Sequence, residues 1–377
     1  MKSSPSFLIF FKPNICCLVA CLFCVLFYSL PNLSLADPGR QRSGFHVGFT
    51  RLTVDHSIEK NLRFSVWYPS LEAPGKVNLG PFQFPGTKNA SLAPGKFPIV
   101  ILSHGMAGTD LGHRSIALAL AKSGVIAAAP LHPKDNFRDD SGSGLPEVWV
   151  ARPKQISAVL DHLLQSDQFA SSLLPNHIGV FGFSAGGYTA IALLGPKPNF
   201  VRLVEHCASS KQSDPVCRYF HGQNSPKGSR FIAQLETYLS SSPSPFASLA
   251  DDRFCSGVIA DPLGWVFPES ELAKLKHTPL LIYVPEIQNE LAGEFHGTHV
   301  FRHVDKSESR AGSPLTQIRM IKGAQHFSFI TPFPQSISRS LGEVAEDFGD
   351  FNRAQFHERL AEEISRFFSE SFEHCGP

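Results

Sequence analysis

From residue 97 onward the chain alternates two hydrophobic patterns. "FPIVILSHG", "VIAAAPLH" and "HIGVFGFS" are short, continuous apolar runs, the pattern of strands buried on both faces. The stretches after them repeat at helical spacing. "HRSIALALAKSG" predicts a helix closed by Gly124, and "RPKQISAVLDHLLQS" puts Ile156, Val159, Leu160, Leu163 and Leu164 on one helical face. "AGGYTAIALL" predicts a third helix. The strand pattern resumes at "SGVIAD", "PLLIYVP" and "LTQIRMIKG". The chain then closes on a helix over "FNRAQFHERLAEEISRFFSESF", with Phe356, Leu360, Ile364 and Phe367 as its stripe. Strand and helix in strict alternation predict an α/β fold, a mostly parallel central sheet with helices on both faces.

Two regions depart from the alternation. "VGFTRLTV" and "LRFSVWYP", joined by the polar "DHSIEKN", predict an antiparallel hairpin over about residues 46–69. The Pro- and Gly-rich stretch up to "FPIVILS" reads as a surface loop. Between about residues 196 and 253 the pattern breaks again. Prolines, serines and Phe200, Phe220, Phe231 and Phe246 mix there with helical fragments such as "RFIAQLETYL". This predicts an inserted helical segment in the place where a cap over the sheet would sit.

The first 36 residues have a different character. Lys2 and Lys12 precede a 16-residue apolar run, "ICCLVACLFCVLFYSL", and Ser34 and Ala36 supply the small residues of a cleavage site. That is the pattern of a secretory signal peptide, over residues 1–36, and the run is short against the roughly 20 residues that span a bilayer. The expectation is an exported protein, secreted or periplasmic, with the fold over residues 37–377 and no stable membrane span after cleavage. Four of eight cysteines lie in the leader, leaving Cys207, Cys217, Cys255 and Cys375. An exported chain permits disulfides; three pairings are open, as is a chain with all four thiols free. Cys207 and Cys217, flanking a short polar stretch, are the preferred pair, with Cys255–Cys375 by elimination. The formal charge of +1 offers no electrostatic case for nucleic acid.

Candidate chemistry centres on "VFGFSAGGYTA". Gly182, Ser184 and Gly186 form G-x-S-x-G between a buried strand and a helix. A serine on such a turn is lifted clear of the sheet, and the helix behind it aims its positive end at a developing oxyanion. Ser184 is therefore the candidate nucleophile. Its base is expected late in the chain, and His326 in "KGAQHFSF" follows the last strand. The acid is Asp261, ending "VIAD" before Pro262, with Glu286 in "YVPEI" as the alternative. The oxyanion donors are the N–H groups of Ala185 and of Met106, the latter in the loop "SHGMAG". His104 in that loop is expected to be a structural hydrogen-bonder. His296, His299 and His303 cluster in "HGTHVFRH", but the spacing is not a zinc motif, no carboxylate lies among them, and "THVFRH" alternates like a strand. No metal is expected there.

With these residues in place the chain resembles the α/β-hydrolases, and within them an exported branch related to platelet-activating-factor acetylhydrolase, dienelactone-hydrolase-like. The resemblance rests on "GFTRLTVDHS", "ILSHGMAG", the arginine-led "RPKQISAVLDHL", "GFSAGG", "VIADPLGWVFP" and "GAQHFSF". It implies a serine esterase without metal or organic cofactor, and it favours Asp261 over Glu286 as the acid. Dienelactone hydrolases proper use a cysteine, so their chemistry does not carry over to Ser184. The expected substrate is a small-molecule or lipid ester with a short or lipid-type acyl group. A lipase, phospholipase or polyester hydrolase would use the same triad. An amidase and a non-catalytic binding protein stay open as further alternatives.

Overall fold

A computed structural model describes residues 44–55, 60–209, 214–220, 226–241, 247–304 and 315–376. The expected signal peptide lies outside the described residues. The strands are β1 (His46–Val54), β2 (Leu62–Ser70), β3 (Lys76–Leu79), β4 (Phe82–Pro85), β5 (Thr87–Lys88), β6 (Phe97–Ser103), β7 (Ile126–Pro130), β8 (Leu173–Phe183), β9 (Phe254–Ala260), β10 (Leu280–Ile287) and β11 (Thr316–Gln325). Nine of them form one sheet in the order β11-β10-β9-β8-β6-β7-β2-β1-β5. From β7 to β11 all neighbours are parallel, and β1 and β2 add the antiparallel hairpin, with His46 opposite Ser70.

The central strands read as unbroken apolar runs because both faces are covered. Ile99, Ile101 and Val180 point into one core, with Ile156, Leu160 and Tyr188. Val100, Leu102 and Phe181 point into the other, with Ile116, Leu120, Leu360 and Ile364. The period-two alternation of a strand thus feeds two separate cores. The helices on these faces are α1 (Arg114–Lys122), α2 (Pro146–Gln165) and α3 (Ala185–Leu193), followed by α4 (Val201–Ser209), α5 (Cys217–Phe220) and α6 (Pro226–Ser241) before β9, in the stretch expected to be an insertion. Then come α7 (Glu269–Leu272), α8 (Gly297–Val304), α9 (Gln335–Leu341) and α10 (Arg353–Ser371). No helix among the described residues is long and apolar enough to cross a membrane.

Three local expectations change. The segment after β2 is not a plain loop, because β3 and β4 pair there and β5 joins the sheet edge beside β1. The cause is apolar: Val77 and Phe84 are buried, and Phe84 packs edge-on against Phe49 at 5.3 Å. Helix α2 begins at Pro146, so Arg152 and Pro153 sit inside it rather than at its head. Pro146 is pre-set for a first turn. Pro153 lacks the N–H that would bond the Trp149 carbonyl, and the Tyr188 hydroxyl donates to that carbonyl instead, at 3.3 Å. Finally, "THVFRH" lies in helix α8, not in a strand. Its alternation is short, and Val300 and Val304 at i, i+4 turn one helical face into the core.

Cys207 pairs with Cys217, and Cys255 with Cys375, at Cα separations of 5.2 and 5.6 Å. The first bridge staples α4 to α5. The second ties β9 to the chain end beyond α10. Phe200 and Phe231, between α3 and β9, are buried, and both pack against Trp149 of α2.

Candidate active site

Strand β8 ends at Phe183 and α3 starts at Ala185, so Ser184 alone makes the turn. Its backbone is in a left-handed conformation, φ 56° and ψ −117°, which a non-glycine residue holds only under constraint. The constraint is visible: the Ser184 N–H donates to the Ala260 carbonyl at 3.0 Å, and the Ser184 carbonyl accepts from Tyr188 and Leu263. The flanking glycines are required by close approach. A Cβ on Gly182 would lie 2.0 Å from the Gly186 carbonyl oxygen, and one on Gly186 would lie 2.0 Å from that of Ser103. The motif therefore exists because backbone meets backbone on both sides of the serine.

Three side chains from separate strand ends converge there. His326 follows β11, and its Nε2 lies 3.1 Å from Ser184 Oγ. Its Nδ1 lies 2.6 Å from Asp261 Oδ2, just past β9. Asp261 is fully buried, also with a left-handed φ of 39°, and its N–H donates to the Tyr283 carbonyl. Its Oδ1 is buried without a hydrogen-bond partner among the described residues, so the side chain directs its bonding to the imidazole. Glu286 is not brought to the site: its carboxylate accepts from the Gly323 N–H at 2.7 Å.

The short turn that carries His326 is held from beneath. Gln325 and Ser328 cap each other. His357 on α10 donates Nε2–H to the Ser328 carbonyl, and His113 donates Nδ1–H to that of Phe329. Burial pushes both histidines down, His357 to about 4 and His113 to about 3. They serve as neutral donors. The Phe183 ring lies against the His326 imidazole, centroids 4.7 Å apart.

The loop after β6 is clamped by a buried ion pair. Arg152 Nη1 meets Asp135 Oδ2 at 2.5 Å, and both side chains are excluded from solvent. Arg152 also donates to the His104 carbonyl, to Ser103 Oγ and to Thr189 Oγ1. Asp135 in turn accepts from the Ala107 N–H at 2.9 Å and from Ser143. Met106 lies between these anchored points. Neither its N–H nor that of Ala185 makes a hydrogen bond among the described residues. His104 uses both nitrogens internally: Nδ1–H donates to the Gly105 carbonyl and Nε2 accepts from the His132 N–H. Burial, and then the charge of Arg152, hold it well below the usual imidazole range.

Ser184, Ala185, Met106 and His326 line a cavity of about 380 Å³. The rest of its wall is mostly apolar, including Phe137, Trp149, Val216, Leu263, Leu291 and Phe333. Glu290 is the one carboxylate among the described residues that line it, and it lies 3.5 Å from Arg218 of α5. At the rim Met106 and Phe137 are 39% and 57% exposed. The three histidines of "HGTHVFRH" are engaged elsewhere: His296 with Asp214, His299 with the Phe267 carbonyl, and His303 with the His299 carbonyl.

The sequence motifs missed Asp135 and the histidines under the His326 turn, and they read Arg152 only as a helix start. A signal for Arg152 was present. It lies at i, i+4 from Ile156 on the apolar stripe of its helix, the position of a buried, paired charge.

Residues 70–143, which include the clamped loop, match the family model of platelet-activating factor acetylhydrolase, isoform II. No curated protein is significantly similar to the chain in sequence. Among solved structures it is similar to a ferulic acid esterase from Streptomyces cinnamoneus, at 15% identity and a TM-score of 0.52 over 89% of this chain and 92% of that one. The chain thus has the α/β-hydrolase fold, and over residues 70–143 it is similar to the platelet-activating factor acetylhydrolase family.

Proposed function

We propose that the chain is an exported serine esterase that hydrolyses carboxylic esters with short or lipid-type acyl groups through Ser184, His326 and Asp261. The observation that carries this reading is the line Ser184 Oγ, His326 Nε2, His326 Nδ1, Asp261 Oδ2, with steps of 3.1 and 2.6 Å, opening into an apolar cavity. Ser184 Oγ attacks the ester carbonyl while His326 Nε2 takes its proton. The carbonyl oxygen becomes an oxyanion held by the N–H groups of Ala185 and Met106. His326 passes the proton to the leaving alcohol oxygen, and the acyl group stays on Ser184. Water then attacks the acyl carbon, giving a proton to His326; His326 returns it to Ser184 Oγ as the acyl–Oγ bond breaks, and the acid departs. Asp261 stays ionised, keeps Nδ1–H in place and stabilises the imidazolium.

Export is part of the proposal. It rests on the leader pattern and is supported by two disulfides, which persist in oxidising compartments. The exposed Met106 and Phe137 at the cavity rim favour a second reading, a lipase or phospholipase on the same triad. One experiment separates these: hydrolysis of p-nitrophenyl esters from acetate to palmitate by the mature protein and by Ser184→Ala. Activity that falls by on the order of 10⁴-fold or more in the variant supports the nucleophile. The chain-length optimum separates esterase from lipase. A folded wild type inactive on every ester refutes both.

A further inference from the structure

The apolar wall of the cavity comes from three separate stretches. Val216 belongs to the insertion, Leu263 follows β9, and Leu291 follows β10. Each is buried, and one carboxylate outside the cavity lies behind all three. Asp214 Oδ1 accepts from the Val216 N–H at 3.2 Å and from the N–H of Ala292, next to Leu291, at 3.3 Å. Asp214 Oδ2 accepts from His206 Nε2–H at 2.8 Å and from His296 Nε2–H at 2.9 Å. His296 Nδ1 then accepts from the N–H of Gly264, next to Leu263, at 3.1 Å. Leu263 itself donates its N–H to the Ser184 carbonyl.

On the esterase reading above, we propose that Asp214 is a specificity-determining positioning residue: it joins the three stretches that form the wall meeting the substrate's hydrocarbon chain. It touches none of the reacting atoms. Its side chain is fully enclosed, and so is that of His296. His206, on α4, is bridged to α5 through Cys207–Cys217, so the wall segment 214–217 is pinned by a covalent bond and a carboxylate together. His206 also packs on Trp265 and Phe295, at 4.9 and 4.5 Å, which seats the insertion on the parts of the chain after β9 and β10.

The chemistry of the hub predicts what an isosteric change does. In Asp214→Asn one oxygen becomes an NH₂ group. Among the described residues His206 Nδ1 accepts no hydrogen bond, so its tautomer can change, but that of His296 cannot, because its Nδ1 already accepts from Gly264. An amide facing His296 therefore sets N–H against N–H. Turned round, it sets N–H against the Val216 and Ala292 N–H groups. Either way one wall stretch loses its anchor.

The test measures KM and kcat for p-nitrophenyl esters from acetate to octanoate with wild type and Asp214→Asn. In Ser184→Ala and Ser184→Ala/Asp214→Asn, affinity for the same esters is read by the fluorescence of Trp149 in the wall. Full burial of a methylene corresponds to about fourfold in affinity. The expected result is a gain per methylene that falls below about twofold in the Asn variants, with the loss growing with chain length and sitting in KM. An unchanged slope, or an equal fall at every length, overturns the proposal. Should Asp214→Asn not fold, Val216→Ala decides: it trims the wall directly and must lower the same slope, and an unchanged slope overturns the proposal. A wild type that hydrolyses no ester refutes the esterase reading alone, and the binding series still decides the role of Asp214.

Discussion

Asp135→Asn addresses the clamp on the loop that carries Met106. The substitution keeps shape and removes charge. In the native site Asp135 Oδ2 faces Arg152 at 2.5 Å, and Oδ1 accepts from Ala107 at 2.9 Å, both in a dry interior. An asparagine must present its NH₂ to one of them. Toward Arg152, the guanidinium loses its anion with no water to replace it. Toward Ala107, the loop loses its anchor. Removing one partner of a buried pair costs about 3–5 kcal/mol, and for a domain of this size that lowers melting by on the order of 4–7 °C. On the proposed mechanism, Met106 meets only the oxyanion of the transition state. Displacing it should lower kcat by up to about 10²–10³-fold, with little change in KM. Calorimetry and p-nitrophenyl butyrate kinetics read both effects. The Asp135→Asn/Arg152→Met double variant should recover part of the stability, because the orphaned charge is gone. Melting within 2 °C of wild type together with an unchanged kcat would refute the clamp.

Two further outcomes follow from the same structure. Burial holds His357 and His113 neutral, with values pushed down to about 4 and about 3 from an ordinary 6.5. Above about pH 6.5 their contribution to stability is complete. As pH falls toward those values the unfolded chain takes up protons that the folded one refuses, and each histidine removes up to about 1.4 kcal/mol per pH unit. Melting temperature should therefore fall steadily from pH 6.5 to 4, and a flat profile there would count against the buried neutral pair. At Asp214, burial pushes the carboxyl up, but hydrogen bonds from His296 and His206 outweigh it and hold it at about 2. Its share is lost only at lower pH still, between about 4 and 2. The two disulfides should differ. Cys255–Cys375 closes a separation of 120 residues and Cys207–Cys217 one of 10. Chain entropy makes the long closure worth about 5 kcal/mol and the short one under about 3. Cys375→Ser should lower the urea midpoint more than Cys207→Ser, and the reverse order would overturn that account.

What the amino-acid sequence determined was whatever depends on local pattern. Continuous apolar runs between helical stripes specify a parallel sheet, because only a strand covered on both faces can be apolar throughout. The candidate nucleophile was legible because G-x-S-x-G leaves a mark in residue type: Gly182 and Gly186 have carbonyl oxygens where a Cβ would stand. His326 and Asp261 were legible by place, each ending a strand. The partner of a buried charge leaves no such mark. Arg152 stands on an apolar stripe, but Asp135 lies 17 residues away and becomes its partner only when α2 packs behind the β6 loop. The β3–β4 hairpin forms where a turn-rich stretch finds Phe49 and Trp67 to cover. Asp214 sits in polar sequence that reads as surface. It is buried because His206 and His296, the latter 82 residues away, reach it from two directions. A hydrogen bond between distant residues leaves no periodicity in a chain, so tertiary structure alone decided which polar groups went inside and which stretches they hold together.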